Sequence, residues 1–328
     1  MDDVAAAAGV SRALVSLVMR ESPRVSPQSR QRVLEAASEL GYRPNLAART
    51  LAAHRTMLVG VMLDDLHNPF YSELADGILH AAVAHGYRVL FSTRATNQRT
   101  QEYALETLLQ LRGDGLILVS PRVQSSQLIA AAAEVPLVTA TEPLVPATVD
   151  SVTNDEMVGA RLLVDHLVAR QHRRIVHLDG GRGAAARTRR AGYVAAMRAH
   201  GLASEVRILR GDFTERAGYE GAGRVLQLEP RPTAIFAAND AAAAGVLDRL
   251  MEHGVSVPGD MAVVGYDNTA LAEMGMLSIT TVDQPRFEMG RLAFELLYER
   301  MAGGRTEAVH HLIAPSLVVR RTTGEELR

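Results

Sequence analysis

Arg189, Asn239, Asp240 and Asp267 are residue types that could hold a molecule rather than transform one. A guanidinium presents a fixed fork of donors to hydroxyls or carboxylates, and amide or carboxylate side chains suit paired hydrogen bonds to vicinal hydroxyls. Phe70 and Phe213 could add flat apolar faces for a sugar ring or a base. The chain has six Phe and no Trp, so two in loops points to use. Asp64 and Asn68 share a loop with Phe70. Each has a plainer alternative: loop packing for the phenylalanines, a solvated basic run for Arg189 beside Arg190, and N-capping for Asp240, where a helix is expected to begin.

Catalytic constellations do not assemble around these residues. There is no Gly-x-Ser-x-Gly, no His-Glu-x-x-His and no lysine, hence no phosphate-binding lysine. Cysteine is absent, which excludes disulfides and thiolate metal sites, and the 11 His are scattered. His310 and His311 are neighbours that would point apart on a strand. Ile175 to Leu178 followed by Gly181-Arg182-Gly183 imitates a dinucleotide-binding turn, but no acidic residue ends a following strand at the required distance. No enzyme, cofactor or metal is expected.

The elements that must position the candidates begin at Met57. Short apolar runs cover 58–63, 87–91, 116–119, 137–140, 175–178, 206–209, 234–237 and 261–265, and helical patterns such as 73–85, 157–170, 192–200 and 241–253 lie between them. Continuous apolar strands alternating with helices predict parallel, doubly wound sheets covered on both faces. The eight strands form two sets of four, separated by 149–154, where the chain could cross over; crossings are expected near Asp155, Asp283 and Pro315. Ligands bind at the C-terminal ends of such strands, so two facing lobes would line a cleft there.

Residues 1–56 differ in texture. Asp2-Asp3-Val4 opens an alanine-rich helix, Gly9 breaks it, and Ser11 starts a second helix through Val15 and Val18. Two helices joined by a tight turn can pack on a seam of Val4, Ala8, Val10, Val15 and Val18, leaving the second helix free to enter a major groove. Ser26-Pro27 caps a third helix running through Val33, Leu34, Ala37 and Leu40 to the stop at Gly41. This segment has eight Arg against five acids, +3, and the remainder 27 against 32, -5, within a net charge of -2. A basic module on an acidic body is expected if only the first part touches phosphates. At 328 residues, with 47% hydrophobic content, the chain should form two or three domains. No apolar run spans a bilayer and the N-terminus lacks signal-peptide order, so a cytoplasmic protein without a membrane partner is expected.

Ala8-Gly9-Val10-Ser11, Val15-Ser16, Arg24-Val25-Ser26, Arg32-Val33-Leu34 and Leu40-Gly41-Tyr42-Arg43-Pro44-Asn45, in this order and spacing, resemble the headpiece of the lactose-repressor/galactose-repressor (LacI/GalR) family. The likeness continues to the far end of the chain. It implies an N-terminal all-α helix-turn-helix headpiece (1–41), a hinge helix (42–56), and an α/β two-lobed periplasmic-binding-protein-like core. The lobes would be 57–155 with 284–314, and 156–283 with 315–328. By resemblance, DNA would be contacted by Ser11, Arg12, Ala13, Ser16, Leu17, Asn45, Ala48 and Leu51, with Leu51 wedged into a base step in the minor groove. The effector would be bound by Asp64, Asn68, Phe70, Arg189, Phe213, Asn239, Asp240 and Asp267. The implied protein is a ligand-responsive homodimeric regulator, most simply a repressor of a carbohydrate operon, bound to pseudo-palindromic operator DNA and answering to a sugar or sugar derivative. The competing reading is a cytosolic sugar-binding protein without DNA function. The chain departs from the family where Met1 abuts Asp2-Asp3, and where Leu14 and Leu17 replace the frequent threonine and arginine. Leu17 cannot hydrogen-bond a base edge, though it can touch a thymine methyl.

Overall fold

In the computed structural model, residues 1–19, 22–42, 55–93, 98–141, 146–181 and 183–324 are described. The chain divides into two units, Met1–Thr56 and Met57–Arg328.

The first unit contains α1 (Asp2–Ala8), α2 (Arg12–Met19) and α3 (Pro27–Glu39). Gly9 ends α1 in the left-handed region at φ 60°, which costs glycine nothing sterically and lets Val10 N–H reach the Ala5 carbonyl at 3.0 Å. The Ser26 hydroxyl accepts from Ser29 N–H at 3.2 Å, with Pro27 at the first helical position. Val4, Val15 and Val33 are fully buried at the centre, and Ala8, Val18, Ala36 and Ala37 close around them. Val10 is only partly buried. Leu34 and Leu40, expected on the inner face of α3, are each 50% exposed. The inner face is the Val33, Ala36, Ala37 stripe at spacings of three and four, and Leu34 lies a quarter turn outside it.

The second unit runs β1 (Leu58–Leu63), α4 (Pro69–Ala84), β2 (Arg88–Thr93), α5 (Gln98–Gln110), β3 (Gly115–Val119), α6 (Ser125–Glu134), β4 (Leu137–Ala140) and β5 (Asp150–Asn154). It continues α7 (Glu156–Ala169), β6 (Ile175–Leu178), α8 (Ala184–Ala199), β7 (Arg207–Leu209), α9 (Glu215–Val225), β8 (Ala234–Ala237), α10 (Asp240–Glu252) and β9 (Ala262–Val264). The last elements are α11 (Ala270–Glu273), β10 (Thr281–Asp283), α12 (Arg286–Met301), β11 (His310–Ile313) and β12 (Ser316–Val318).

One sheet is parallel with order β11-β5-β4-β3-β1-β2; the other is parallel with order β7-β6-β8-β9. β10 and β12 pair antiparallel as a separate two-stranded sheet. The crossover expected at 149–154 is therefore itself a strand, and with β11 it makes the first sheet six-stranded rather than four. Its polar Asp150-Ser151-Val152-Thr153-Asn154 does not read as a core strand, yet every residue is buried. Asp150 explains how: its carboxylate accepts from Arg305 at 2.8 and 2.9 Å, from Arg300, and from Val309 N–H at 2.6 Å. Burial opposes the charge, but these donors prevail and hold its pKa below the usual carboxylate value.

α4 and α12 lie side by side on the first sheet with their backbones in contact. A Cβ on Gly77 would stand 2.0 Å from the Phe287 carbonyl oxygen, and one on Gly290 would stand 2.0 Å from that of Leu74.

Candidate ligand site

The C-terminal ends of the strands from both sheets face one cavity. On one side the loop after β1 and the start of α4 bring Asp64, Asn68, Phe70 and Tyr71, β3 ends in Ser120 and Arg122, and β4 ends in Thr141. On the other, α7 contributes Glu156, α8 Arg189, the loop after β7 Phe213, the turn after β9 Asp267, and the link after β10 Gln284. Asp64, Asn68, Phe70, Arg189, Phe213 and Asp267 are thus brought together from positions more than two hundred residues apart.

Arg189 is the centre of one wall. It is 3% exposed, and its Nε donates to Glu156 Oε2 at 2.9 Å while Nη1 donates to the Ala238 carbonyl. Its guanidinium carbon sits 3.4 Å above the Tyr266 ring centroid and 5.7 Å from that of Phe213. Burial opposes the charge, yet the Glu156 carboxylate holds the pKa above the usual arginine value. The bland reading of Arg189 as a solvated basic residue is incompatible with this geometry. Arg190 is the half-exposed one, paired to Asp179 at 2.7 Å. The Phe213 ring has room because residue 180 is glycine, whose Cβ would stand 2.3 Å from Phe213 Cζ.

Asn239 and Asp240 do not line the cavity, because their polar atoms are used inside the protein. Asn239, not Asp240, caps α10 by accepting from Ala242 N–H at 2.9 Å, and its amide donates to the Phe213 carbonyl at 3.2 Å. It supports the aromatic wall from behind. Asp240 accepts from Thr269 N–H at 2.7 Å, Thr269 Oγ1 at 3.0 Å and Thr281 Oγ1 at 2.7 Å. Asn68 divides its roles, lining the cavity while its Oδ1 caps α4 through Phe70 N–H at 3.0 Å.

Tyr71, Ser120 and Thr141 stand just after strands, where the sequence places the cleft, though no ligand contact was assigned to them; Arg122, Glu156 and Gln284 were not reached from sequence. Ser120 and Thr141 adopt φ of 49° and 66° at their strand ends, and the turn presents a hydroxyl chain: Tyr71 Oη donates to Ser120 Oγ at 3.1 Å, and Ser120 Oγ lies 2.6 Å from Thr141 Oγ1. Burial, reinforced by Asp64, pushes the Tyr71 phenol well up, so it stays a donor. Strand-end position was the available signal for Ser120 and Thr141. Arg122, paired to Asp64 at 3.3 Å, and Glu156 had none.

Asp267 accepts from Gln284 Nε2 at 2.6 Å, and burial raises its pKa to about 8; Arg189 works against the shift while Asp240 and Glu156 add to it. A carboxyl that keeps its proton to about pH 8 when folded but loses it near 3.8 when unfolded contributes stability that falls as pH rises through that window. Asp240, raised to about 6, adds the same slope only below that value. Wild type should therefore lose roughly 2 kcal/mol between about pH 6 and 8, and Asp267→Asn should lose little of it. Urea titrations at both pH values check this; parallel losses in the two proteins would exclude Asp267 as the source.

On the first unit, Ser11 caps α2, its Oγ accepting from Leu14 N–H at 3.2 Å. Arg12, Ala13 and Leu17 are exposed and Ser16 half-buried on the outer side of α2. Arg12 Nε lies 3.7 Å from Asp2, the acid at the start of α1. Asn45, Ala48 and Leu51 lie outside the described residues. Among the described residues no group of three or more metal-ligating side chains occurs, and no helix is long and apolar enough to cross a membrane.

Residues 1–45 match the model of bacterial regulatory proteins of the lacI family, and residues 164–323 match the periplasmic binding protein-like domain. Catabolite control protein A of Priestia megaterium is 35% identical over 303 residues, 91% of each chain. The chain belongs to the LacI family. Among solved structures, the lac repressor dimer bound to operator and the anti-inducer ONPF shares 30% identity, with a TM-score of 0.84 over 98% of each chain. The transcriptional regulator CelR in complex with cellobiose shares 33% identity, with a TM-score of 0.74 and 98% of each chain covered. This LacI-family regulator accordingly joins a DNA-binding helix-turn-helix unit to an effector-binding core.

Proposed function

We propose that the protein is a repressor that binds a pseudo-palindromic operator as a homodimer and is released or engaged by a small sugar or sugar derivative held between Phe70 and Phe213. The observation that carries this is the cavity itself: aromatic faces from both sides, with Arg189, Asp64, Asn68 and Asp267 converging between them. Such a lining suits a molecule with apolar ring faces and several hydroxyls. The lobes are 57–155 with 284–314, and 156–283 with 315–328, a division supported by the sheet each strand joins. The operator and the cellobiose bound by the related structures support the same reading. One headpiece carrying +3 reads few base pairs and binds feebly, which calls for two.

The hinge provides the test. If Leu51 wedges into the central base step, Leu51→Ala keeps helix propensity but removes the kink. Operator affinity should fall by roughly a few kcal/mol towards the non-specific level, with bending lost and non-specific binding almost unchanged. Operator and random-sequence affinities are measured beside bending by circular permutation, and a panel of neutral mono- and disaccharides is screened by thermal shift on the full chain. Equal operator affinity and bending in Leu51→Ala would reject the hinge, a monomer with full operator affinity would reject the dimer, and a panel without a stabilising sugar would reject the effector class.

A further inference from the structure

Arg286, the first residue of α12, is 7% exposed and lies behind the cavity rather than in its wall. Its guanidinium divides its donors among three segments. Nε donates to Glu73 Oε2 at 2.8 Å, Nη1 to the Gln284 carbonyl at 3.0 Å, and Nη2 to the Asn268 carbonyl at 2.7 Å. Glu73 stands one turn after Asn68 and Phe70 on α4, which carries one cavity wall. Asn268 directly follows Asp267, which belongs to the other.

The Asp267–Asn268 turn needs holding. Its two residues take φ of 110° and 56°, consecutive left-handed conformations without glycine, which a chain adopts only where its surroundings impose them. Asn268 is tied on its side chain, donating to Asp283 Oδ1 at 3.0 Å and accepting from Arg320 Nη2 at 2.8 Å. Arg286 is the group that ties the turn's backbone across to α4.

We propose that Arg286 is a positioning residue for effector binding: it clasps the Asp267–Asn268 turn to the first turns of α4, so that the two cavity walls hold their geometry together. The planar fork is what allows one side chain to serve both segments, since a lysine ammonium is a single point on a flexible stem. The consequence for the effector rests on the reading of the cavity given above; the clasp does not.

Hydrogen exchange of the full chain without any sugar tests it. In Arg286→Ala, protection at the Asp267 and Asn268 amides, bonded to the Val282 carbonyl and to Thr281 Oγ1, should fall together with that of Phe70 and Tyr71 at the start of α4. Loss of one charged hydrogen bond on each side corresponds to about tenfold in each, with β8 amides unchanged. Wild-type protection in either segment overturns the clasp. Should Arg286→Ala fail to fold, Arg286→Lys decides: it keeps a charge for Glu73, so α4 should stay protected while the turn loosens, and a fully protected turn overturns the proposal. Because no sugar enters the measurement, an incorrect effector class would leave this result untouched.

Discussion

Arg189→Ala is expected to destabilise the core by about 3–5 kcal/mol and to abolish the response to effector. Two effects separate in this variant. Glu156 is 7% exposed and loses the guanidinium that donates to it at 2.9 Å, so a buried carboxylate is left without its counter-charge. The Ala238 carbonyl and the Tyr266 ring face lose their partner as well. Independently, a charged donor disappears from the cavity, worth about 1.5–3 kcal/mol of ligand affinity where it is used. Replacing both partners, Arg189→Met with Glu156→Met, removes the unpaired charge and should return most of the stability while leaving the effector response absent. Urea denaturation and effector-dependent operator release, measured on wild type, single and double variants, distinguish the roles. A double variant that regained stability and effector response together would show Arg189 to be structural only.

Asp267 could be placed at the cavity from sequence because it follows a strand of an α/β core, where ligands bind, and the apolar run 261–265 marked that end closely; Arg189, inside α8, was reached through the family resemblance. β5 and β11 were not legible: Asp150 to Asn154 are polar and are buried through long-range partners such as Arg300 and Arg305, while β11 is a polar, largely exposed edge strand defined by its pairing with β5. The same limit hid Glu156. Its meaning comes from Arg189, and nothing local to Asp155-Glu156 announces an ion pair 33 positions away. Asn239 and Asp240 show the converse. Both types suit ligand binding, but a helix start and the Thr269 and Thr281 hydroxyls claim their atoms first. Helix starts fell late for a related reason: Ala184 to Arg190 is arginine-rich and lacks an apolar stripe, so α8 was expected only from Gly192.

The second large effect is expected at Gly77. Alanine there gains about 1 kcal/mol of helix propensity, but its methyl would have to occupy a point 2.0 Å from the Phe287 carbonyl oxygen. The obstacle is backbone, so no rotamer change relieves it and α4 must move away from α12. The net loss should reach about 3 kcal/mol or more. Because α4 carries Asn68, Phe70 and Glu73 and α12 begins at Arg286, the displacement should also weaken effector binding at a site the substituted residue does not touch. Gly275→Ala is the control: nothing stands within 4 Å of its Cβ and its φ is not left-handed, so stability should hold or rise by about 0.4–1 kcal/mol. Gly290→Ala meets the Leu74 carbonyl oxygen at 2.0 Å and should cost as much as Gly77→Ala. If one separation of the helices accommodates both methyls, the double variant will lose far less than the two single losses combined. Urea denaturation of the full chain measures the four variants beside wild type; a Gly77→Ala protein as stable as wild type would mean that the two helix backbones are not in contact.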